Sequence, residues 1–225
     1  MKRIFYTPAI FEQSSLADAK RIILTVPPDI LDDFWQRATR ATADLIVAAL
    51  LPVEQSTLLD FGCGIGRLAK ELIQRTGCKI VGVDISASMR RLAVEYVASD
   101  RFSVMSSGEF ARLAANGTAA FSGAYSIVVL QHVLDPATEL RRIAATCAAS
   151  APLFVYNCIN RCVPTNLGFA NDGQDIGRLA SEIFEFKQEF DVPRDLLLYP
   201  DRGPMPGEIE SHWFRLFANK RRSTA

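Results

Sequence analysis

The chain has no net charge: twenty-five lysines and arginines balance twenty-five aspartates and glutamates. That balance argues against broad electrostatic attraction to nucleic acid or to an anionic membrane. The terminal Lys220-Arg221-Arg222 cluster is local and reads as a solvated tail. Histidine is scarce, with two copies, His132 and His212, so imidazole chemistry has few places to sit. The five cysteines lack paired zinc-type spacing. Cys158 and Cys162 lie four apart, but no second pair or nearby histidine completes a metal site, and no metal is expected. Idle thiols in a reducing cytosol fit better. No apolar run approaches the ~20 residues of a bilayer span. The opening "MKRIFYTPAIFEQ" has no sustained apolar region to act as a secretory signal. Repeats and low-complexity segments are also missing. A soluble cytoplasmic protein is expected.

What is present is a chain of 225 residues, 49% hydrophobic, able to bury a real core. A helix is predicted from about Asp29 to Leu51, after Pro27-Pro28 and before Pro52, with Phe34, Trp35, Ala38, Leu45 and Ile46 on one face. Strand and helix then alternate. "STLLDFG" is a strand, and "GRLAKELIQRTG" a helix closed by Gly77. "KIVGVDI" is an apolar strand suited to burial on both faces, and "SASMRRLAVEYVAS" is a helix. Arg101 to Met105 forms a third strand and "AYSIVVLQHV" a fourth. "PATELRRIAATCAAS" is a helix, and "PLFVYNCI" a fifth strand. This alternation implies a parallel sheet with helices on both faces. Towards the end, "FEFKQEF" and "ESHWFRLFANK" read as an antiparallel closing pair. A helix over Asp175 to Phe190 is the competing reading of the first of them. One domain is expected over 1–225, with an N-terminal cap over 1–31 and a cofactor-binding core over 32–159. A substrate-side segment and closing hairpin would occupy 160–225.

The densest chemical signal is "LLDFGCGIGR", Leu58 to Arg67. Its glycines permit a tight turn and close approach of a ligand to backbone. The turn opens onto a helix N-terminus, where free N–H groups favour a negative group. Asp60 precedes it at the strand end. Asp84 ends the next strand, where a carboxylate can accept hydrogen bonds from both hydroxyls of a ribose. The spacing Gly62-x-Gly64-x-Gly66 differs from the G-x-G-x-x-G of dinucleotide folds.

"LLDFGCGIGRLAKEL" followed by "VGVDISASMRRLA" resembles the class I S-adenosylmethionine-dependent methyltransferases, over about Leu58 to Asn157. The resemblance implies a Rossmann-like, doubly wound α/β fold with a seven-stranded sheet in the order 3-2-1-4-5-7-6, its last strand antiparallel. It also implies S-adenosyl-L-methionine as cofactor and S-adenosyl-L-homocysteine as product. Gly62, Cys63 and Gly64 would face the amino-acid end of the cofactor, and Asp60 would orient its ammonium. Asp84 would hold the ribose, while Ile85 and Met89 would flank the adenine. Gln131 would sit beside the methionine portion. The third-strand region departs from the family's acid at the adenine amino group. "FSVMSSGEF" offers Ser106, Ser107 or Glu109 there, and Ser107 is preferred. The fourth strand carries Tyr125-Ser126 where an aspartate is common.

A methyl on a sulfonium is already activated, so alignment is the protein's main task. An alcohol or phenol acceptor also needs a base. His132 is the candidate catalytic residue, although the family frequently carries histidine here without a chemical role. His212 is expected to be structural. Phe5, Tyr6, Phe34, Trp35, Tyr156, Tyr199 and Trp213 are candidates for an apolar acceptor wall, against the competing account that Phe34 and Trp35 seal a helix onto the sheet. Arg37, Arg40 and Arg161 are candidates for holding an anionic acceptor. The expected activity is methyl transfer to an oxygen or nitrogen of a small molecule. The alternatives are a protein or nucleic-acid methyltransferase, or a silent relative that binds the cofactor. Nucleic acid is disfavoured because no basic face or recognition module appears and "LQHV" stands where amino-group methylases carry Asn-Pro-Pro-Tyr. A nicotinamide-dependent oxidoreductase is disfavoured by the glycine spacing and closing hairpin.

Overall fold

The computed structural model describes residues 4–117 and 120–220. Arg221 and Arg222 of the terminal basic cluster lie outside the described residues. The elements in chain order are α1 Leu16–Ile23, α2 Leu31–Leu50, β1 Thr57–Phe61, α3 Arg67–Thr76, β2 Lys79–Asp84, α4 Ala87–Val97 and β3 Phe102–Ser106. They continue with α5 Ser107–Ala115, β4 Gly123–Ile127, α6 Pro136–Thr146, β5 Pro152–Cys158, β6 Val163–Thr165, β7 Gly168–Ala170, α7 Ile176–Ile183, β8 Phe184–Phe190 and β9 His212–Asn219.

The main sheet runs β3-β2-β1-β4-β5-β9-β8, and β6 with β7 forms a separate hairpin. Counting only the strands of the main sheet, this is the expected order 3-2-1-4-5-7-6. β1 pairs in parallel with β2 and β4, and β9 lies antiparallel to both β5 and β8. Alternate residues of each strand feed opposite layers. Leu58 packs with α2 and α3 through Ala38, Ile46, Leu68 and Leu72. Leu59 packs with α5, α6 and α7 through Phe110, Leu140, Ile143 and Ala180. Strand order reverses between the parallel neighbours β1 and β4, the switch point where open α/β sheets bind ligands.

The structure corrects or completes the sequence reading at four places. The fourth strand ends at Ile127; Leu130–His132 is a turn of 3-10 helix, so Gln131 and His132 stand on a bend beyond the strand. Val128 makes the break with φ of 57°, a strained value for a β-branched residue, and its N–H bonds to Tyr156 O at 2.7 Å. The stretch after β3 is α5, begun by a reciprocal cap in which Ser106 and Glu109 bond each other's backbone N–H groups. Residues 175–190 satisfy both competing patterns, helix through Ile183 and strand from Phe184. Finally, α1 precedes the expected first helix, with Ser15 capping it through Asp18 N–H. No helix among the described residues is long and apolar enough to cross a membrane.

Candidate active site

A cavity of about 820 Å³ opens over the carboxyl ends of β1, β2 and β4. Its floor is the glycine turn. Gly62 has φ of 83°, and a Cβ there would meet Val129 Cγ2 at 2.2 Å, so this position admits no side chain. Gly62 N–H and Cys63 N–H both donate to Val83 O, at 2.7 and 3.0 Å, tying the turn to β2. Cys63 contributes backbone: its Sγ would lie 2.6 Å from a Cβ at Gly82, beneath the turn. Gly64, with φ of 54°, donates its N–H to Asp84 Oδ2 at 2.9 Å.

Asp84 Oδ1 accepts Ser86 N–H at 2.9 Å, and Ser86 Oγ accepts Met89 N–H at 3.0 Å to cap α4. Burial raises the Asp84 pKa, opposed by the N–H bonds from Ser86 and Gly64 and by Arg90. Each carboxylate oxygen keeps a free lone pair for a ligand hydroxyl. Asp60 is 4% exposed, and burial pushes its carboxyl up to about 7. The Tyr125 hydroxyl beside it partly opposes that rise, though it closes no hydrogen bond of ordinary geometry.

Across the cavity stand Gln131 and His132. Gln131 is 1% exposed, with its N–H on Asn157 Oδ1 at 3.3 Å, and its side-chain Oε1 is buried without a partner. His132 Nδ1 lies 2.7 Å from Cys162 O. A carbonyl can only accept, so Nδ1 carries the proton and Nε2 offers a lone pair, 3.2 Å from the Gln131 amide nitrogen. Burial lowers the His132 pKa, reinforced by Arg161 and opposed by the Cys162 carbonyl. The neutral form therefore prevails at pH 7. Phe11 and Phe169 flank the ring at centroid distances of 5.4 and 5.9 Å.

Arg161 braces this wall from behind. Its side chain is fully buried, donates to Leu130 O and Val133 O, and forms a two-point pair with Asp172 at 3.0 Å. It is thus a structural residue and no holder of an anionic acceptor. Arg37 is likewise spent on Asp33 and on the carbonyls of Asp195 and Leu197. Arg40 lines a separate cleft of about 200 Å³.

The structure brings Asp60, Gly62, Cys63, Gly64, Asp84, Ile85, Met89, Ser107, Gln131 and His132 around one cavity. Ser106 and Glu109 are occupied with each other, which leaves Ser107 as the serine at the cavity edge. Met89 is 3% exposed and also packs on Trp35 and Leu92. Of the expected aromatic wall only Tyr6 reaches the cavity. Phe34 and Trp35 seal α2 into the core, Trp213 is buried, and Tyr156 stacks on Phe214 at 4.1 Å. Phe5 and Tyr199 stand outside it. His212, expected to be structural, also lines the cavity, with Nδ1 2.8 Å from Ser211 Oγ.

The roof comes from segments whose role sequence reasoning left general. Phe11, Ile22 and Ile23 enter from the N-terminal segment and Phe169 from the β6–β7 hairpin. The two segments join through Thr7 N–H to Pro164 O at 3.0 Å and Phe5 N–H to Asn166 Oδ1 at 3.0 Å. Arg67 and the Glu139–Arg142 pair also line the cavity. The apolar Ile22-Ile23 pair behind a capped Ser15 was the available signal for α1. Nothing local marks Phe169.

Comparison with known proteins agrees with this arrangement. The family described as "Methyltransferase domain" matches residues 34–158, more than half of the chain. A ubiquinone biosynthesis O-methyltransferase from Caulobacter vibrioides is 32% identical over 123 residues, 54% of this chain and 48% of that protein. An O-methyltransferase from Penicillium expansum is 29% identical over 117 residues, 49% of this chain and 41% of that one. The chain thus spans less than half the length of these curated relatives. Among solved structures, geranyl diphosphate C-methyltransferase from Streptomyces coelicolor, in complex with Mg2+, geranyl diphosphate and S-adenosyl-L-homocysteine, superposes with a TM-score of 0.61 at 14% identity. The superposition covers 81% of this chain and 77% of that one, and shows the fold. Fold, strand order, glycine turn and family match together make the chain a member of the class I S-adenosylmethionine-dependent methyltransferases.

Proposed function

We propose that the cavity binds S-adenosylmethionine and directs its methyl group to a hydroxyl oxygen of a small, largely apolar acceptor. The observation that carries this reading is the neutral His132. Its Nε2, which accepts the Gln131 amide N–H in the ligand-free protein, lines a cavity whose floor is the glycine turn and Asp84. The residues present suit the donor. The turn at Gly62 and Gly64, both at positive φ, lines the cavity, Asp84 retains acceptor capacity for a ribose diol, and Gln131 Oε1 is an unpaired buried acceptor. Gly62, Cys63, Gly64 and Asp60 would hold the amino-acid end, and Asp84 the ribose. Ile85, Met89 and Ser107 would line the adenine, and Gln131 would lie beside the methionine chain. In this reading 32–159 is the cofactor core, while 1–31 and 160–225 build the acceptor side.

When bound, the donor supplies a methyl carbon on a positively charged sulfur, ready for in-line displacement. The protein's contribution is orientation, exclusion of water beneath Phe11 and Phe169, and removal of a proton. His132 Nε2 exchanges the Gln131 amide N–H for the acceptor's hydroxyl and takes its proton, while the Cys162 carbonyl holds the ring by its Nδ1–H. The same bond stabilises the imidazolium that forms. An oxygen acceptor agrees with the two O-methyltransferase relatives. The apolar roof favours an uncharged aromatic or lipophilic body, which calls for neither nucleic acid nor membrane. Five free cysteines suit the cytoplasm.

Methyl transfer to a panel of phenols, read as S-adenosylhomocysteine formed, tests the reading. His132→Asn is expected to lower kcat by about 10²- to 10⁴-fold while calorimetric binding of the donor is retained. Wild-type kcat/KM should fall on an acid limb below the ordinary histidine value of 6.5, because burial lowers this pKa. An active His132→Asn variant would remove the base from the scheme.

A further inference from the structure

Apart from the large cavity, α2 and α3 form the walls of a cleft of about 200 Å³, with Tyr96 of α4 beside them. Three cations line it: Arg40 from α2, and Arg67 and Lys70 from one face of α3. Arg67 is only 8% exposed. Its Nη1 donates to Thr39 Oγ1 at 3.0 Å, and the Trp35 ring lies 5.4 Å from its guanidinium carbon, so the fork reaches across to α2. A guanidinium has five N–H donors, and among the described residues it makes no other hydrogen bond. Burial lowers its pKa to about 10, which leaves it charged at neutral pH. Lys70 Nζ donates to Tyr96 O at 2.9 Å and lies 4.6 Å from the centre of the Tyr96 ring, with further donors to give. Arg40 is exposed. None of the three has a carboxylate within ion-pair distance among the described residues. Glu71, the acid on the cleft wall, is paired with Arg75, which also holds Asp44. The field of Asp60 reaches Arg67 without an ion pair, and burial pushes that carboxyl up to about 7.

Three cations without counter-ions, one of them buried, thus gather in a chain that is neutral overall. A buried cation with unspent donors is costly, and the Trp35 face offsets this only in part. The complement is a compact anion with several acceptor oxygens. A carboxylate offers two oxygens and one charge, whereas a phosphate group offers three or more oxygens and close to two charges near neutral pH. A planar arginine fork and a lysine point charge both suit it. The cleft also falls below the roughly 300–1,000 Å³ of pockets for drug-sized ligands, so it fits a small group and not a whole cofactor. We propose that the cleft between α2 and α3 binds a phosphate group, as the free ion or as the end of a small phosphomonoester, through Arg67, Lys70 and Arg40. Arg40 and Lys70 lie outside the large cavity, so this site stands or falls independently of the methyl donor.

Calorimetric titration at fixed ionic strength, in a phosphate-free buffer, would compare inorganic phosphate, phenyl phosphate and acetate. Wild type is expected to bind at least one of the two phosphates with a Kd of about 1 mM or below. Acetate should bind about tenfold more weakly or worse. Lys70→Gln should weaken phosphate binding about 5- to 30-fold, and the exposed Arg40→Gln about 2- to 5-fold. Both side chains stand at the protein surface, so these variants are expected to melt near wild type. Arg67→Lys, which keeps the charge without the fork, should also weaken binding, by about 3- to 10-fold. Tighter binding of phenyl phosphate points to a phosphomonoester, and tighter binding of inorganic phosphate to the free ion. The site is overturned if wild type binds neither phosphate at about 10 mM, or if acetate binds as tightly as phosphate. It is equally overturned if phosphate affinity is unchanged in both folded variants, Lys70→Gln and Arg40→Gln, because binding then occurs elsewhere.

Discussion

Asp60 shows how a single buried side chain trades stability against binding. Its carboxyl has no ion-pair partner among the described residues, and burial raises its pKa from 3.8 to about 7. The folded state therefore holds a proton that the unfolded chain releases above pH 4. Stability contributed by protonated Asp60 is complete at low pH and is lost as pH rises towards and through 7. Asp60→Asn is expected to raise the melting temperature of the ligand-free protein at pH 8. The advantage over wild type should narrow as pH falls from 7 to 4. If Asp60 holds the donor's ammonium as proposed, the same variant should bind S-adenosylmethionine about tenfold more weakly. A melting difference independent of pH would show that Asp60 does not titrate in this way. Acids at strand ends such as Asp60 and Asp84 were legible from sequence because a strand end beside a glycine turn is a local feature. Arg67 was passed over because it reads as an ordinary helix-opening residue. Only the surrounding α2 and α4 remove water and counter-charge from it.

At the scale of elements, the N-terminal segment is attached to the cofactor side by a carboxylate. Glu12 accepts Ala87 N–H and Ser88 N–H, each at 2.9 Å, at the start of α4, and Gln13 N–H donates to Ser88 Oγ at 2.8 Å. The hydrogen bonds from Ser88, with that from Ala87, lower the Glu12 pKa from 4.5 to about 2. This attachment is complete above pH 4.5 and weakens as pH falls towards 2. Hydrogen exchange should report it. Glu12→Gln is expected to speed amide exchange across 8–24 at pH 7 while exchange in β1, β4 and β5 stays unchanged. Wild type should show the same loosening only in acid. Equal protection in variant and wild type would mean that packing by Phe11, Ile22 and Ile23 alone holds the segment. Among the elements, α3, α4 and α6 were readable because each carries a local cap or proline start. The end of β4 was not. "AYSIVVLQHV" has a continuous apolar pattern, and its break falls at Val128, whose N–H is held by the Tyr156 carbonyl on β5, a partner distant in sequence.

For the whole molecule, donor binding is linked to folding, because the site is assembled from β1, β2, β4 and the roof segments. At a concentration a hundredfold above its Kd, a ligand specific for the folded state contributes about 2.7 kcal/mol. For a chain of this size that corresponds to roughly 5–10 °C in melting temperature. S-adenosylmethionine and S-adenosylhomocysteine should each produce such a rise, and NAD none. A rise with NAD alone would contradict the donor assignment. Sequence by itself determined the alternating α/β architecture, the strand order through family resemblance, and the glycine turn with its two acids. Those features depend on backbone conformation and on residues within a few positions of one another. Only the tertiary structure decided which side chains face the cavity, which nitrogen of His132 carries the proton, and that Arg67 has no counter-ion among the described residues. Each of these depends on groups distant in sequence: Cys162 O for the imidazole, Phe169 for the roof, and Trp35 and Thr39 for the guanidinium. Burial and charge compensation are properties of the packed whole, which no local pattern encodes.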